Sequence, residues 1–64
     1  MTQKELLYVE DAIGHEKSII DIINTSINNI EDNNLVSFLL KELKKHEMMK
    51  EKLINLMEDN TNEW

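Results

Sequence analysis

The stretch "INNIEDNNLVSF", residues 27–38, decides the fold. Ile27 and Ile30 close a long apolar series on its N-terminal side. Leu35, Val36 and Phe38 begin another on its C-terminal side. Between them lies Glu31-Asp32-Asn33-Asn34, with no apolar residue. Asp32 is a favourable N-cap, because its carboxylate can accept hydrogen bonds from backbone N–H groups two or three residues on. Asn33 and Asn34 then fill the first turn of the new helix. A connection this short makes the two flanking helices run antiparallel.

Upstream, the apolar series is Leu6, Val9, Ile13, Ile20, Ile23, Ile27 and Ile30, with Glu16 standing in its middle. Its spacing alternates three and four, the mark of a helical seam. Ala12, Ile19 and Ser26 widen it on one side. Thr2 followed by Glu5 matches a capping box, which opens a helix. Downstream, the series reads Leu35, Leu39, Leu43, His46, Met49, Leu53 and Met57, flanked by Val36, Phe38, Ile54 and Leu56. The pattern predicts a helix over about 3–30, a turn at about 31–33 and a helix over about 33–58. The tail 59–64 loses the periodicity and is expected to fray, carrying the lone Trp64 with it. There is no proline and one glycine, Gly14, which falls opposite the seam. It costs about 1 kcal/mol of helix propensity there and little packing.

The 64 residues form a single domain, 1–64, and hold two long helices and no cysteine. A core this thin, without disulfides, calls for another source of burial. The apolar arcs are too wide for one pair of helices. The expected architecture is therefore all-α: an antiparallel helical hairpin that dimerises into a four-helix bundle. The expected dimer and core seam comprises Leu6, Val9, Ile13, Ile20, Ile23, Ile27, Leu39, Leu43, Met49, Leu53 and Met57. The net charge of −6 argues against nucleic acid and anionic membrane surfaces as partners. No apolar run approaches the ~20 residues of a membrane span. Residues 1–11 lack the apolar core and cleavage site of a signal peptide, so cytoplasmic synthesis is expected.

Glu16 sits at the centre of a face that should be hydrocarbon. On a helical wheel, Val9, Ile20, Ile23 and Ile27 lie within about 40° of it. Glu42, Lys50, Leu53 and Met57 lie equally close to His46. With a tight turn, facing residue numbers add to roughly 62 or 63, so Glu16 meets His46 and Glu47 near the middle of both helices. Three readings follow, the last being that the Glu16 side chain escapes to solvent at a loose middle. In the first, Glu16 pairs with Lys50 or with a protonated His46, and the polar layer fixes register. In the second, Glu16, Glu42 and His46 from two protomers converge as four carboxylates and two imidazoles. That set suits iron or zinc and matches the donors of di-metal carboxylate bundles. The spacing is Glu-x-x-x-His, "ELKKH", where those bundles use Glu-x-x-His, and Lys50 brings a positive charge to the same level. His15 lies about 100° away and reads as a boundary residue, and Tyr8 as an interface ring. There is no nucleophile triad and no phosphate loop. A thin bundle also offers no evident substrate pocket, so the sequence leans away from an enzyme without deciding it.

The segments "TQKELLYVEDAIGHEKSII" and "IEDNNLVSFLLKELKKHEMMKEKLINLM" resemble small clostridial and bacillary proteins of the spore coat protein F type. The likeness covers residues 2 to 57. The resemblance implies a ferritin-like helical hairpin of the sporulation programme, packing as a dimeric four-helix unit in or near the spore coat. Its partners would be a second copy and other coat proteins. Encapsulated half-ferritins are more distantly similar. They carry one Glu on the first helix and Glu-x-x-His on the second, which Glu16, Glu42 and His46 match approximately. Three functions are therefore expected in turn: a structural coat component, a ferritin-like metal-binding protein, and a small regulator that lends its hairpin to a larger helical partner.

Overall fold

In the computed structural model, which describes residues 1–61, the chain forms two helices. Helix α1 spans Gln3–Asn29 and helix α2 spans Asn33–Thr61. They pack side by side and antiparallel into a rod whose principal extents are 49 × 14 × 11 Å.

Each helix starts where its capping chemistry dictates. The Thr2 hydroxyl accepts from the Glu5 backbone N–H at 3.1 Å, and the Thr2 N–H donates to Glu5 Oε1 at 2.7 Å. This reciprocal box satisfies two donors that the first turn would otherwise leave bare. At α2, Asp32 Oδ1 accepts from the Leu35 N–H at 2.9 Å, and the Asp32 carbonyl accepts from Val36 N–H at 3.0 Å. Helix α1 ends at Ile30, whose backbone is extended (φ −106°, ψ 133°). Near that end the Ser26 hydroxyl donates to the Ile22 carbonyl at 2.8 Å and the Asn29 amide to the Thr25 carbonyl at 2.7 Å.

Helix α2 runs to Thr61, past the expected end near residue 58. No glycine or proline stops it there, and the Asn60 amide donates to the Leu56 carbonyl at 2.7 Å, supporting the last turn. Trp64 lies outside the described residues.

Ile13, Ile20 and Ile23 are the buried hydrophobic residues, at 7%, 9% and 7% exposure. Leu6, Val9, Ile27, Leu39, Leu43, Leu53 and Met57 are half-buried along the same seam. Met49 lies outside the core that one hairpin closes on its own. It is 45% exposed, and Leu35 is 44% exposed, while Lys50 and Val36 are half-buried. The reason is helical pitch. Steps of three from Leu43 to His46 and again to Met49 rotate the chain about 120° in all, which leaves Met49 about 60° to one side of His46, whereas a step of four from His46 returns it to the seam at Lys50. The seam of α2 therefore reads 36, 39, 43, 46, 50, 53, 57, alternating three and four like that of α1. Among the described residues, no helix is long and apolar enough to cross a membrane.

Candidate functional site

The central polar layer forms within one chain. Glu16, midway along α1, accepts at Oε2 a hydrogen bond of 2.6 Å from His46 Nδ1, midway along α2. The pairing matches the facing rule set by the turn. Both groups are largely enclosed, with side chains 15% and 26% exposed for Glu16 and His46. Glu16 therefore does not turn out to solvent. Its partner is His46 and not Lys50, and Glu47 is exposed. Lys50 is one helical turn further along α2, where an antiparallel partner presents Ile13, a turn earlier on α1.

On the other side of the ring, His46 Nε2 lies 3.9 Å from Glu42 Oε2, one turn back on the same helix. This is an i, i+4 neighbour on a helix face. The Glu42 side chain is 31% exposed, so this end of the layer opens to solvent. The three groups form a line, Glu16–His46–Glu42, with the imidazole between two carboxylates. An ionised carboxylate can only accept, so Nδ1 carries the proton in the short bond. Nε2, on the far side of the ring, faces Glu42.

In one chain, Glu16, Glu42 and His46 are brought to one level as the sequence leads one to expect. The ring separates the two carboxylates, and Glu16 is spent on Nδ1. Among the described residues, no group of three or more His, Asp or Glu side chains is placed to hold a metal ion. What one chain offers is a pair of donors, Nε2 and Glu42, with Glu16 orienting the ring. A carboxylate behind a histidine in this manner fixes ring orientation and raises its basicity toward an ion on the far nitrogen.

His15 is exposed and borders a shallow acidic depression with Glu10, Asp11, Gly14 and Ser18, away from the layer. A second shallow depression on α2 is lined by Lys41, Lys44, Lys45, Met48, Met49 and Lys52. The first depression thus carries the acids Glu10 and Asp11, and the second four lysines. Glu5 is the group whose acidity is clearly shifted. Hydrogen bonds from the Thr2 backbone and then the Thr2 hydroxyl hold its carboxyl below the usual value of 4.5. Compared with known proteins, the chain matches no family model, no curated protein and no solved structure.

Proposed function

We propose that this chain is a structural assembly protein of the spore coat type, working as a homodimeric four-helix bundle. One observation carries the reading: the hairpin does not close its own core. Among the described residues, the buried hydrophobic ones are the three isoleucines of α1, and no large side chain is fully enclosed. Meanwhile Tyr8, Ile22, Phe38 and Met48 stay more than half exposed. A lone pair of helices so arranged is a half-built bundle. The depressions on its surface are shallow and open, which favours packing over substrate chemistry. The coat setting rests on the resemblance of residues 2 to 57.

The test is fractionation. A tagged copy expressed during sporulation in a clostridium or bacillus should be extracted with the coat layers. Recovery wholly in the mother-cell cytoplasm would overturn the coat assignment.

The second reading, metal binding, is favoured by the Glu16–His46–Glu42 line. An ion with ligand bonds of about 2 Å can be shared by a nitrogen and an oxygen 3.9 Å apart, as Nε2 and Glu42 Oε2 are, at a wide ligand angle. A second copy would supply the two further donors that a zinc or iron site needs. Stoichiometric iron or zinc in protein purified without chelator, abolished in Glu42→Gln and weakened about 10–100-fold in Glu16→Gln, is its signature. Protein that is fully folded and metal-free under those conditions removes this reading and leaves the first.

A further inference from the structure

Among the described residues, five of the ten exposed large apolar residues share one face. At 100° per residue, the α1 positions Tyr8, Ile19 and Ile22 fall about 60–120° to one side of the α1 seam. Phe38, Met49 and Leu56 fall about 60–80° to one side of the α2 seam. Because the helices run antiparallel, these two sides lie on the same face of the hairpin. Tyr8, Ile22, Phe38, Met49 and Leu56 are 61%, 65%, 55%, 45% and 45% exposed. The opposite face carries Glu10, Lys17, Asn24, Asn28, Glu47 and Glu51, all exposed, with Leu7 and Leu40 as apolar exceptions, and the exposed Met48 lies on the outer back of α2.

The area fits a partner of the chain's own size. A compact monomer of 7.6 kDa exposes roughly 4,300 Å², whereas this chain exposes 4995 Å². The excess is close to the roughly 800 Å² per partner that a standard stable interface covers.

The rims of the face say how that partner lies. On α2 the rim is basic, with Lys41, Lys45 and Lys52 all exposed and no acid between them on that edge. On α1 the rim carries Lys4 and Asp11, and α2 adds Asp59 near its end. The antiparallel register puts Lys4 level with Asp59, and Asp11 level with Lys52, across the width of the rod. Two orientations bury the face symmetrically. If the two-fold axis crosses the helices, α2 lies on α2 of the second copy and the lysine rims are brought together. If it runs along them, α1 lies on α2 of the second copy. Lys4 then neighbours Asp59 and Asp11 neighbours Lys52, twice over. Like charges held together oppose docking, and complementary rims set orientation.

We propose that a second copy of this chain docks on the Tyr8/Ile22/Phe38/Met49/Leu56 face with its two-fold axis parallel to the helices, so that both turns lie at the same end of the bundle. The proposal rests on the homodimer reading and adds to it the face and the orientation.

The absence of cysteine allows a clean test. Glu31 is exposed in the turn between the helices. Glu31→Cys carrying a nitroxide label should give a label-to-label distance on the order of 20 Å by pulsed electron paramagnetic resonance, the width of a four-helix bundle with helices 8–10 Å apart. A distance near the 49 Å length of the rod would overturn the orientation while leaving a dimer in place. Sedimentation of the same labelled sample separates the two ideas, since a monomer there would remove the homodimer itself. The face is tested by charge insertion. Phe38→Asp should shift the dimer to monomer, and Leu40→Asp, on the opposite face, should leave it dimeric. Dissociation by Leu40→Asp with Phe38→Asp still dimeric would overturn the choice of face.

Discussion

Replacing both members of the central pair, Glu16→Leu with His46→Leu, should leave the bundle more stable than the natural chain. The two side chains are 15% and 26% exposed, so each leucine would be mostly buried. Full burial of a leucine contributes about 1.5–3 kcal/mol. The aliphatic parts of Glu16 and His46 already supply some of that. The hydrogen bond lost, between groups at least one of which is charged, has a net value of about 1.5–3 kcal/mol. Desolvation of the carboxylate, which the leucines remove, tips the balance. Comparable replacements of buried ionic pairs gain about 1–4 kcal/mol. We expect a gain of about 1–3 kcal/mol per chain, which for a domain of this size raises Tm on the order of 10 °C. The single variant Glu16→Ala, by contrast, leaves His46 without its carboxylate and opens a gap. It should cost about 1–2 kcal/mol, moderated because water reaches the partly exposed ring. Guanidinium denaturation followed by circular dichroism, at one fixed chain concentration, measures all three proteins. A double-leucine variant less stable than the natural chain by more than about 1 kcal/mol would refute the reasoning, because the polar pair would then be a net source of stability.

Three further outcomes are expected. Gly14→Ala should stabilise the hairpin by about 0.5–1 kcal/mol, since a Cβ added at Gly14 meets nothing within 4 Å; an unchanged or lower Tm would place an unseen neighbour on that face. Asp32→Ala removes the acceptor for the Leu35 N–H and should cost about 0.5–2 kcal/mol in denaturant titration, with Asp32→Asn nearly neutral. The Glu5 carboxyl, held below its usual value by Thr2, adds stability that is fully present above pH 4.5 and is lost as pH falls through its lower folded value; an NMR titration should find Glu5 more acidic than its usual value of 4.5, and Thr2→Ala, which removes the hydroxyl but keeps the backbone N–H, should reduce that difference without abolishing it.

The caps and the turn were legible because their chemistry is local. Thr2 with Glu5, and Asp32 with Leu35, act within three residues of chain. The Glu16–His46 contact was legible for a different reason: a tight turn converts residue number into height, so facing partners can be counted off. The choice of His46 over Lys50 as the partner was less visible, because both share a sector of the wheel and only height separates them. Met49 stands beside the seam within one hairpin because two consecutive three-residue steps drift off a seam with an average spacing near 3.5. The line Glu16–His46–Glu42 was not readable at all. Wheel and height bring three side chains to one level but do not show that the imidazole stands between the carboxylates.

That geometry also changes what the polar layer can do. A buried polar pair can specify register between separate helices. Here the pair lies within a hairpin whose short turn between α1 and α2 already sets the register. Its structural effect is then on His46 itself, holding the ring with Nε2 directed at Glu42. Protein with the double-leucine substitution should therefore keep the same hairpin register, while any metal affinity disappears.

The measurement that bears most directly on the whole account is sedimentation equilibrium of the unmodified chain across micromolar concentrations. The account predicts a species of twice 7.6 kDa that dissociates on dilution together with loss of cooperative unfolding. A rigid, cooperatively unfolding 7.6 kDa monomer throughout that range would contradict it.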